Sequence, residues 1–118
     1  MIDEAKLAEL RVALVEQRDN LRKEIVEQGG DADSDDAEID VERGFADSAH
    51  STAERARLIS VMKALRANLR WVDRALNKME LGTYGVCERC GKAIAAERLE
   101  ALPWAILCID CKRAGEGR

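Results

Sequence analysis

The only cysteines of the chain form two Cys-x-x-Cys pairs near its end, Cys87 with Cys90 and Cys108 with Cys111. Zn²⁺ takes four thiolates in a tetrahedron, and a two-residue spacer lets one tight turn present two sulfurs to the same ion. Two such turns complete the shell and leave no open position, so the spacing predicts a structural Zn²⁺ site. Gly91, directly after Cys90, suits such a turn because glycine tolerates positive φ.

The cysteines also allow two other interpretations, a redox-active dithiol pair and four buried free thiols. A thioredoxin-like dithiol is expected beside a βαβ pattern, which the surrounding sequence does not contain. A closed zinc site would instead stabilise a segment of about 30 residues that is too short to bury enough apolar core.

The composition describes a small acidic chain of about one domain. Its 118 residues carry 19 basic and 23 acidic side chains, a formal net charge of −4. A general nucleic-acid-coating protein usually carries a basic face instead. Few aromatic residues and a single proline suit long helices better than a β-sandwich or barrel. No apolar run is long enough to span a membrane and the N-terminus lacks a signal-peptide layout, so the expected location is cytoplasmic.

Two segments must position the cysteines, and both have helical periodicity. Residues 3–28 are predicted to form a helix that stops at Gly29 and Gly30. Its apolar stripe contains Leu7, Leu10, Leu14, Leu21 and Ile25, widened by Val12, Val15 and Val26.

Residues 48–80 are predicted to form a second, longer helix with a heptad seam. The seam residues alternate in steps of four and three: Leu58, Met62, Leu65, Leu69, Val72, Leu76 and Met79. Ser51 and Glu54 fit a capping box, so regular helix is expected to begin near Ser51. The basic residues of this helix are expected to lie on its solvated face, with contact to an acidic or phosphate-bearing partner as the alternative: Arg55, Arg57, Lys63, Arg66, Arg70, Arg74 and Lys78.

Two apolar helices joined by one connector predict a mainly α fold, a long antiparallel coiled-coil hairpin over residues 1–80 followed by a four-cysteine zinc module over 81–118. Placing Leu14 opposite Leu65 centres the turn near residues 39–40. A homodimeric coiled coil is the alternative use of the seam, and we expect a monomer.

An acidic tip loop is expected over about 29–47. Seven acids and no base lie between Asp31 and Glu42, which is typical of a solvated, self-repelling segment. A short helix capped by Ser34 is the alternative.

Three motifs in the cysteine-rich segment carry a family resemblance. Residues 82–91 read Gly-Thr-Tyr-Gly-Val-Cys-Glu-Arg-Cys-Gly, residues 98–103 read Arg-Leu-Glu-Ala-Leu-Pro, and residues 107–112 read Leu-Cys-Ile-Asp-Cys-Lys. Together they strongly resemble the DksA/TraR family of bacterial transcription factors. The long preceding helix resembles the DksA type, which has a hairpin, rather than the short TraR type.

The resemblance implies a protein that binds RNA polymerase without sequence-specific DNA contacts, often assisted by the alarmone ppGpp. In this family the hairpin enters the secondary channel, and tip acids in a D-x-x-D-x-A pattern act near the catalytic centre. Counting back from the first cysteine places the end of that pattern on Asp47 and Ala49. The first acid of the pattern falls on Gly44, so Asp40 or Glu42 is the candidate substitute.

Two other functions stay open beside this regulator of transcription initiation, which is not an enzyme. One is a secondary-channel factor that promotes or opposes transcript cleavage, for which a pair of acids at the tip would be expected. The other is a zinc-ribbon DNA-binding protein, against which the net charge of −4 counts.

Overall fold

The computed structural model of the chain describes residues 2–31 and 51–116. Within these ranges the backbone forms four helices: α1 (Glu4–Glu27), α2 (Thr52–Leu81), α3 (Ala96–Ala101) and α4 (Ile109–Glu116). The same ranges contain no strand, and their only β pairing is an isolated antiparallel bridge between Val86 and Ala93. None of these helices is both long enough and apolar enough to cross a membrane.

The ends of α1 follow from its flanking residues. The carboxylate of Asp3 accepts a hydrogen bond from the Lys6 backbone N–H at 2.7 Å and caps the first turn. At the other end Gly29 has φ +94°, and the N–H groups of Gly29 and Gly30 donate to the carbonyls of Val26 and Ile25. This is a Schellman motif, so the predicted stop at the glycine pair is confirmed.

The ends of α2 are formed in the same two ways. The Ser51 hydroxyl accepts a hydrogen bond from the Glu54 N–H at 3.1 Å, as the capping box predicts. At the C-terminus Gly82 has φ +77°, its N–H donates to Met79, and the Thr83 N–H donates to the Lys78 carbonyl. This second Schellman motif turns the chain sharply toward the cysteines.

The chain divides into two compact units. The first comprises Met1–Gln17 and Trp71–Arg118, and it contains the cysteines. Its buried core residues come from both helices and from the cysteine-rich segment: Leu10, Leu14, Val72, Ala75, Met79, Cys87, Ile94, Leu99, Ala105 and Ile106. The second comprises Arg18–Arg70 and has its own buried core residues: Leu21, Ile25, Met62, Leu65 and Leu69.

Each unit pairs a part of α1 with a part of α2. In the first unit Arg11 Nη1 lies 2.9 Å from Glu80 Oε1. In the second unit Gly30 lies so close to Met62 that a Cβ built on Gly30 would collide with its terminal methyl group. The earlier residue of α1 pairs with the later residue of α2, so the two helices are antiparallel. A mainly α fold with a helical hairpin and a four-cysteine module is thus confirmed.

The predicted register of the hairpin is wrong. Leu14 opposite Leu65 would place residue 11 opposite residue 68, whereas Arg11 contacts Glu80. A heptad seam repeats every 3.5 residues and therefore defines the buried face of a helix without fixing one register.

The seams are partly as predicted. Five of the seven α2 seam residues are buried, while Leu58 and Leu76 are partly exposed. Val12 and Val26, expected to widen the α1 stripe, are 67% and 55% exposed.

Two further expectations need correction. Arg66 and Lys78, expected on the solvated face of α2, are buried. The sequence predicts a frayed tail over residues 114–118, whereas residues 114–116 belong to α4.

Candidate metal centre

The first cysteine pair lies in a tight chain reversal that follows α2. The Cys87 N–H donates to the Lys92 carbonyl at 2.8 Å, and the Ile94 N–H donates to the Gly85 carbonyl at 2.7 Å. Gly85 and Gly91 have φ of +85° and +76°, a region that side chains with a Cβ rarely adopt. The two glycines therefore allow the chain to reverse around the first cysteines.

The turn points backbone N–H groups toward the first sulfur. The Cys90 N–H lies 3.5 Å from Cys87 Sγ and donates to it, while the Gly91 N–H donates to the Cys87 carbonyl at 3.0 Å. A hydrogen bond from a backbone N–H stabilises a thiolate over a thiol. Cys87 is 1% exposed, so the Cys90 N–H takes the place of water at its sulfur.

The second cysteine pair lies at the start of α4. The Cys108 carbonyl accepts a hydrogen bond from the Lys112 N–H at 3.0 Å, which makes Cys108 the residue before the first turn and puts Cys111 within it. A helix N-terminus carries partial positive charge and favours thiolates. The Glu88 N–H donates to the Ile106 carbonyl at 2.9 Å and joins the segments that carry the two pairs.

The four sulfurs are positioned to bind one metal ion. All four Sγ atoms lie within 4.8 Å of one another, and Cys90 Sγ is 3.7 Å from Cys108 Sγ. Sulfurs about 2.3 Å from a common tetrahedral ion are about 3.8 Å apart, so the spacing fits zinc. A set of four sulfur donors also suits zinc and not magnesium or calcium.

The sulfurs differ in acidity because their surroundings differ. Hydrogen bonds from the backbone N–H groups of Cys108 and Cys90 lower the pKa of Cys87 to about 5. The side-chain hydrogen bond with Cys108, with burial, raises the pKa of Cys111 to about 12. Because the four sulfurs are so close, they share protons among themselves, and a bound metal cation would displace those protons. This coupling is expected of a metal site.

Hydrogen bonds and a small apolar core hold the segments that carry the cysteine turns. The Tyr84 hydroxyl donates to the Pro103 carbonyl at 2.8 Å, and burial raises the pKa of Tyr84 to about 12. Arg98 Nε donates to the Leu107 carbonyl at 3.1 Å, next to Cys108. Leu99, which follows Arg98 in α3, is fully buried.

The sequence does not predict the ionic contacts to Val86 and Glu88, the two residues that flank Cys87. Lys78 Nζ donates to the Val86 carbonyl at 2.5 Å and lies 4.0 Å from Glu88 Oε1. Arg74 binds both carboxylate oxygens of Glu88, at 2.9 and 2.7 Å. The predicted seam gives no signal for Lys78, because it omits Ala75, the buried residue one turn before Lys78 on the same face of α2.

The predicted tip residues lie outside the residues that the structure describes: Asp40, Glu42, Asp47 and Ala49.

Comparison with known proteins agrees with this geometry. Residues 82–116 match the family described as "Prokaryotic dksA/traR C4-type zinc finger". The chain is 34% identical over 119 residues to the RNA polymerase-binding transcription factor DksA of Escherichia coli, covering 99% of this chain and 76% of that protein. The chain belongs to the DksA family. As in the family description, the four-cysteine module of this DksA-family chain carries a structural zinc site.

Two other relatives match a shorter part of this DksA-family chain. The chain is 42% identical over 69 residues to an uncharacterised Aquifex aeolicus protein and 40% identical over 72 residues to general stress protein 16O of Bacillus subtilis. Those matches include 58% and 61% of this chain but only 48% and 44% of the relatives.

Two solved structures share the DksA fold. The structure of transcription factor DksA2 from Pseudomonas aeruginosa matches with a TM-score of 0.72 and 26% identity, covering 98% of this chain and 87% of the other. A Chlamydia trachomatis regulator described as an RNA polymerase binding protein matches with a TM-score of 0.58 and 21% identity, over 99% and 94%. The second likeness concerns the fold alone.

Proposed function

We propose that this protein binds bacterial RNA polymerase and regulates transcription initiation. The observation that carries the proposal is the likeness to the RNA polymerase-binding DksA of Escherichia coli, which covers 99% of this chain. That match includes both long helices as well as the zinc module. The proposal places the protein in the cytoplasm, with polymerase.

The finer proposal is that the helical hairpin enters the secondary channel of the polymerase. α1 and α2 contain 24 and 30 residues, which is about 36 and 45 Å of helix at 1.5 Å per residue. A pair of helices is narrow enough for a channel that admits nucleotides. The acidic residues between the two helices would then reach a catalytic centre that holds Mg²⁺, a cation that prefers oxygen ligands.

The proposed zinc ligands lie in the cysteine-rich segment, and the proposed polymerase contacts lie between the two long helices in the sequence. Cys87, Cys90, Cys108 and Cys111 are the proposed zinc ligands, and their closed shell has no catalytic position. The proposed polymerase contacts are the tip residues Asp40, Glu42, Asp47 and Ala49. The protein would act as a monomeric regulator and not as an enzyme, and ppGpp is an effector to test because of the family.

A competition titration tests the partner and its location. Labelled protein is titrated with core RNA polymerase, and a known secondary-channel protein is then added. We expect saturable binding that the competitor abolishes. Binding without competition would overturn the channel insertion, and no binding by the folded, zinc-loaded protein would overturn the polymerase proposal.

A charge substitution tests the acidic tip. Asp47→Asn is expected to reduce the effect on transcription from a sensitive promoter several-fold while polymerase affinity changes less than about twofold, because a carboxylate near the catalytic Mg²⁺ acts on the reaction more than on docking. Glu16→Gln is the matched control, since it removes one exposed acid from α1. Equal effects of the two variants on transcription would contradict a role for the tip.

A further inference from the structure

Lys78, in the last turn of α2, is a charged residue in a position where a charge is unfavourable. Only 8% of its side chain is exposed. Its Nζ donates to the Val86 carbonyl at 2.5 Å, which belongs to the peptide unit directly before the buried Cys87. Burial of an ammonium group costs free energy unless nearby negative charge offsets it.

The carboxylate beside Lys78 is already engaged. Glu88 Oε1 is 4.0 Å from Lys78 Nζ, beyond the range of a hydrogen bond. Arg74 Nε donates a hydrogen bond to Glu88 Oε1 at 2.9 Å, and Arg74 Nη2 forms an ion pair with Glu88 Oε2 at 2.7 Å. Two cations and one carboxylate leave this group with one excess positive charge.

A zinc ion with four thiolates supplies the missing negative charge. The divalent cation and four thiolates together carry two negative charges. Cys87 is the most buried of the four cysteines and is flanked by Val86 and Glu88, the two residues that Lys78 approaches. Of the two cations, Arg74 has a side chain that is 58% exposed and Lys78 one that is 8% exposed, so the charge of Lys78 is the one held away from solvent beside Cys87.

We propose that Lys78 is an outer-sphere residue of the zinc site, which positions the backbone before Cys87 and offsets the charge of the zinc-bound thiolates. Zinc affinity then depends on the end of α2 as well as on the cysteines. The inference rests on the zinc site and not on polymerase binding, so it can fail while the proposed function holds.

Three substitutions separate the two parts of the proposal. Lys78→Met removes both the charge and the hydrogen bond to Val86, Lys78→Gln removes the charge and keeps a donor, and Lys78→Arg keeps both. Outer-shell partners of metal sites typically change affinity by about 10- to 100-fold when removed. We expect a loss in that range for Lys78→Met, a smaller loss for Lys78→Gln, and near wild-type affinity for Lys78→Arg.

Zinc affinity is measured on the full chain by competition with a chromophoric chelator. Lys63→Met is the matched control, because it removes an exposed lysine from the same helix. At saturating zinc, the rate of cysteine alkylation by iodoacetamide is a second readout. Lys78→Met and Lys78→Gln should both raise that rate several-fold because their zinc-bound thiolates are less compensated, whereas loss of the hydrogen bond alone would raise it only in Lys78→Met.

The proposal is overturned if Lys78→Met and Lys63→Met bind zinc equally well, or if Lys78→Arg loses as much affinity as Lys78→Met. If Lys78→Met does not fold with zinc, Lys78→Gln decides the role of the charge. Wild-type affinity and an unchanged alkylation rate in Lys78→Gln would also overturn it.

Discussion

Tyr84 is the single tyrosine of the chain and can therefore be followed without mutation. Partial burial of its ring raises the pKa of the phenol from 10.0 to about 12. Because the folded state favours the neutral phenol, the resulting stabilisation is complete below pH 10 and is lost as the pH rises from 10 to about 12. An absorbance titration at alkaline pH should place the tyrosinate midpoint near 12 in the zinc-loaded protein and near 10 after denaturation.

The Tyr84→Phe variant provides the control. It has no ionisable phenol, so the absorbance change should disappear, and loss of the bond to Pro103 should lower the free energy of unfolding by about 1 kcal/mol. A native midpoint near 10 would contradict the burial of the hydroxyl.

At the level of residues, the sequence was informative where chemistry depends on spacing along the chain. The four cysteines were predicted as one site because short turns bring near neighbours together, and their sulfurs do lie within 4.8 Å of one another. Because lysine and arginine are rarely buried, the sequence predicts Lys78 and Arg66 on the solvated face. Their partners, Val86 and Asp31, could not be foreseen without the fold that brings them together.

At the level of elements, α1 offers a direct comparison between a buried and an exposed aliphatic residue. Leu14 is fully buried and Val12 is 67% exposed, although they are two residues apart. Leu14→Ala should lower the free energy of unfolding by about 2–5 kcal/mol, because it leaves a cavity in the core. Val12→Ala should change it by less than about 0.5 kcal/mol.

Chemical denaturation of the zinc-loaded variants measures both values. Similar losses in the two variants would mean that Val12 is buried in solution, as in a homodimeric coiled coil, and the protein concentration dependence of unfolding would then identify the dimer.

The ends of the long helices were predictable and their register was not. Capping depends on residues within one turn, such as Ser51 and Glu54, and the structure confirms it. Register depends on the connection between the helices as well as on the seam. The sequence of an acidic connector contains no turn signal that would select the pairing of Arg11 with Glu80 over the predicted one.

For the whole molecule, the two units differ in what holds them together. The cysteine-rich segment from 83 to 116 has few large buried residues, and ordering its backbone costs about 1–2 kcal/mol per residue. The unit Arg18–Arg70 has an apolar core without a cysteine. Zinc should therefore be required for the fold of the first segment and not for that of the second unit.

Removal of zinc by a chelator tests this difference by amide hydrogen exchange. Amides of residues 83–116 should lose most of their protection, since metal-binding free energy is folding free energy in small zinc modules. Amides in 18–27 and 52–70 should keep theirs within about tenfold. Cys90→Ser should reproduce the chelated pattern and lower the zinc content. Protection retained in 83–116 would contradict a structural role for zinc, whereas loss in both regions would mean that the two units fold as one cooperative body.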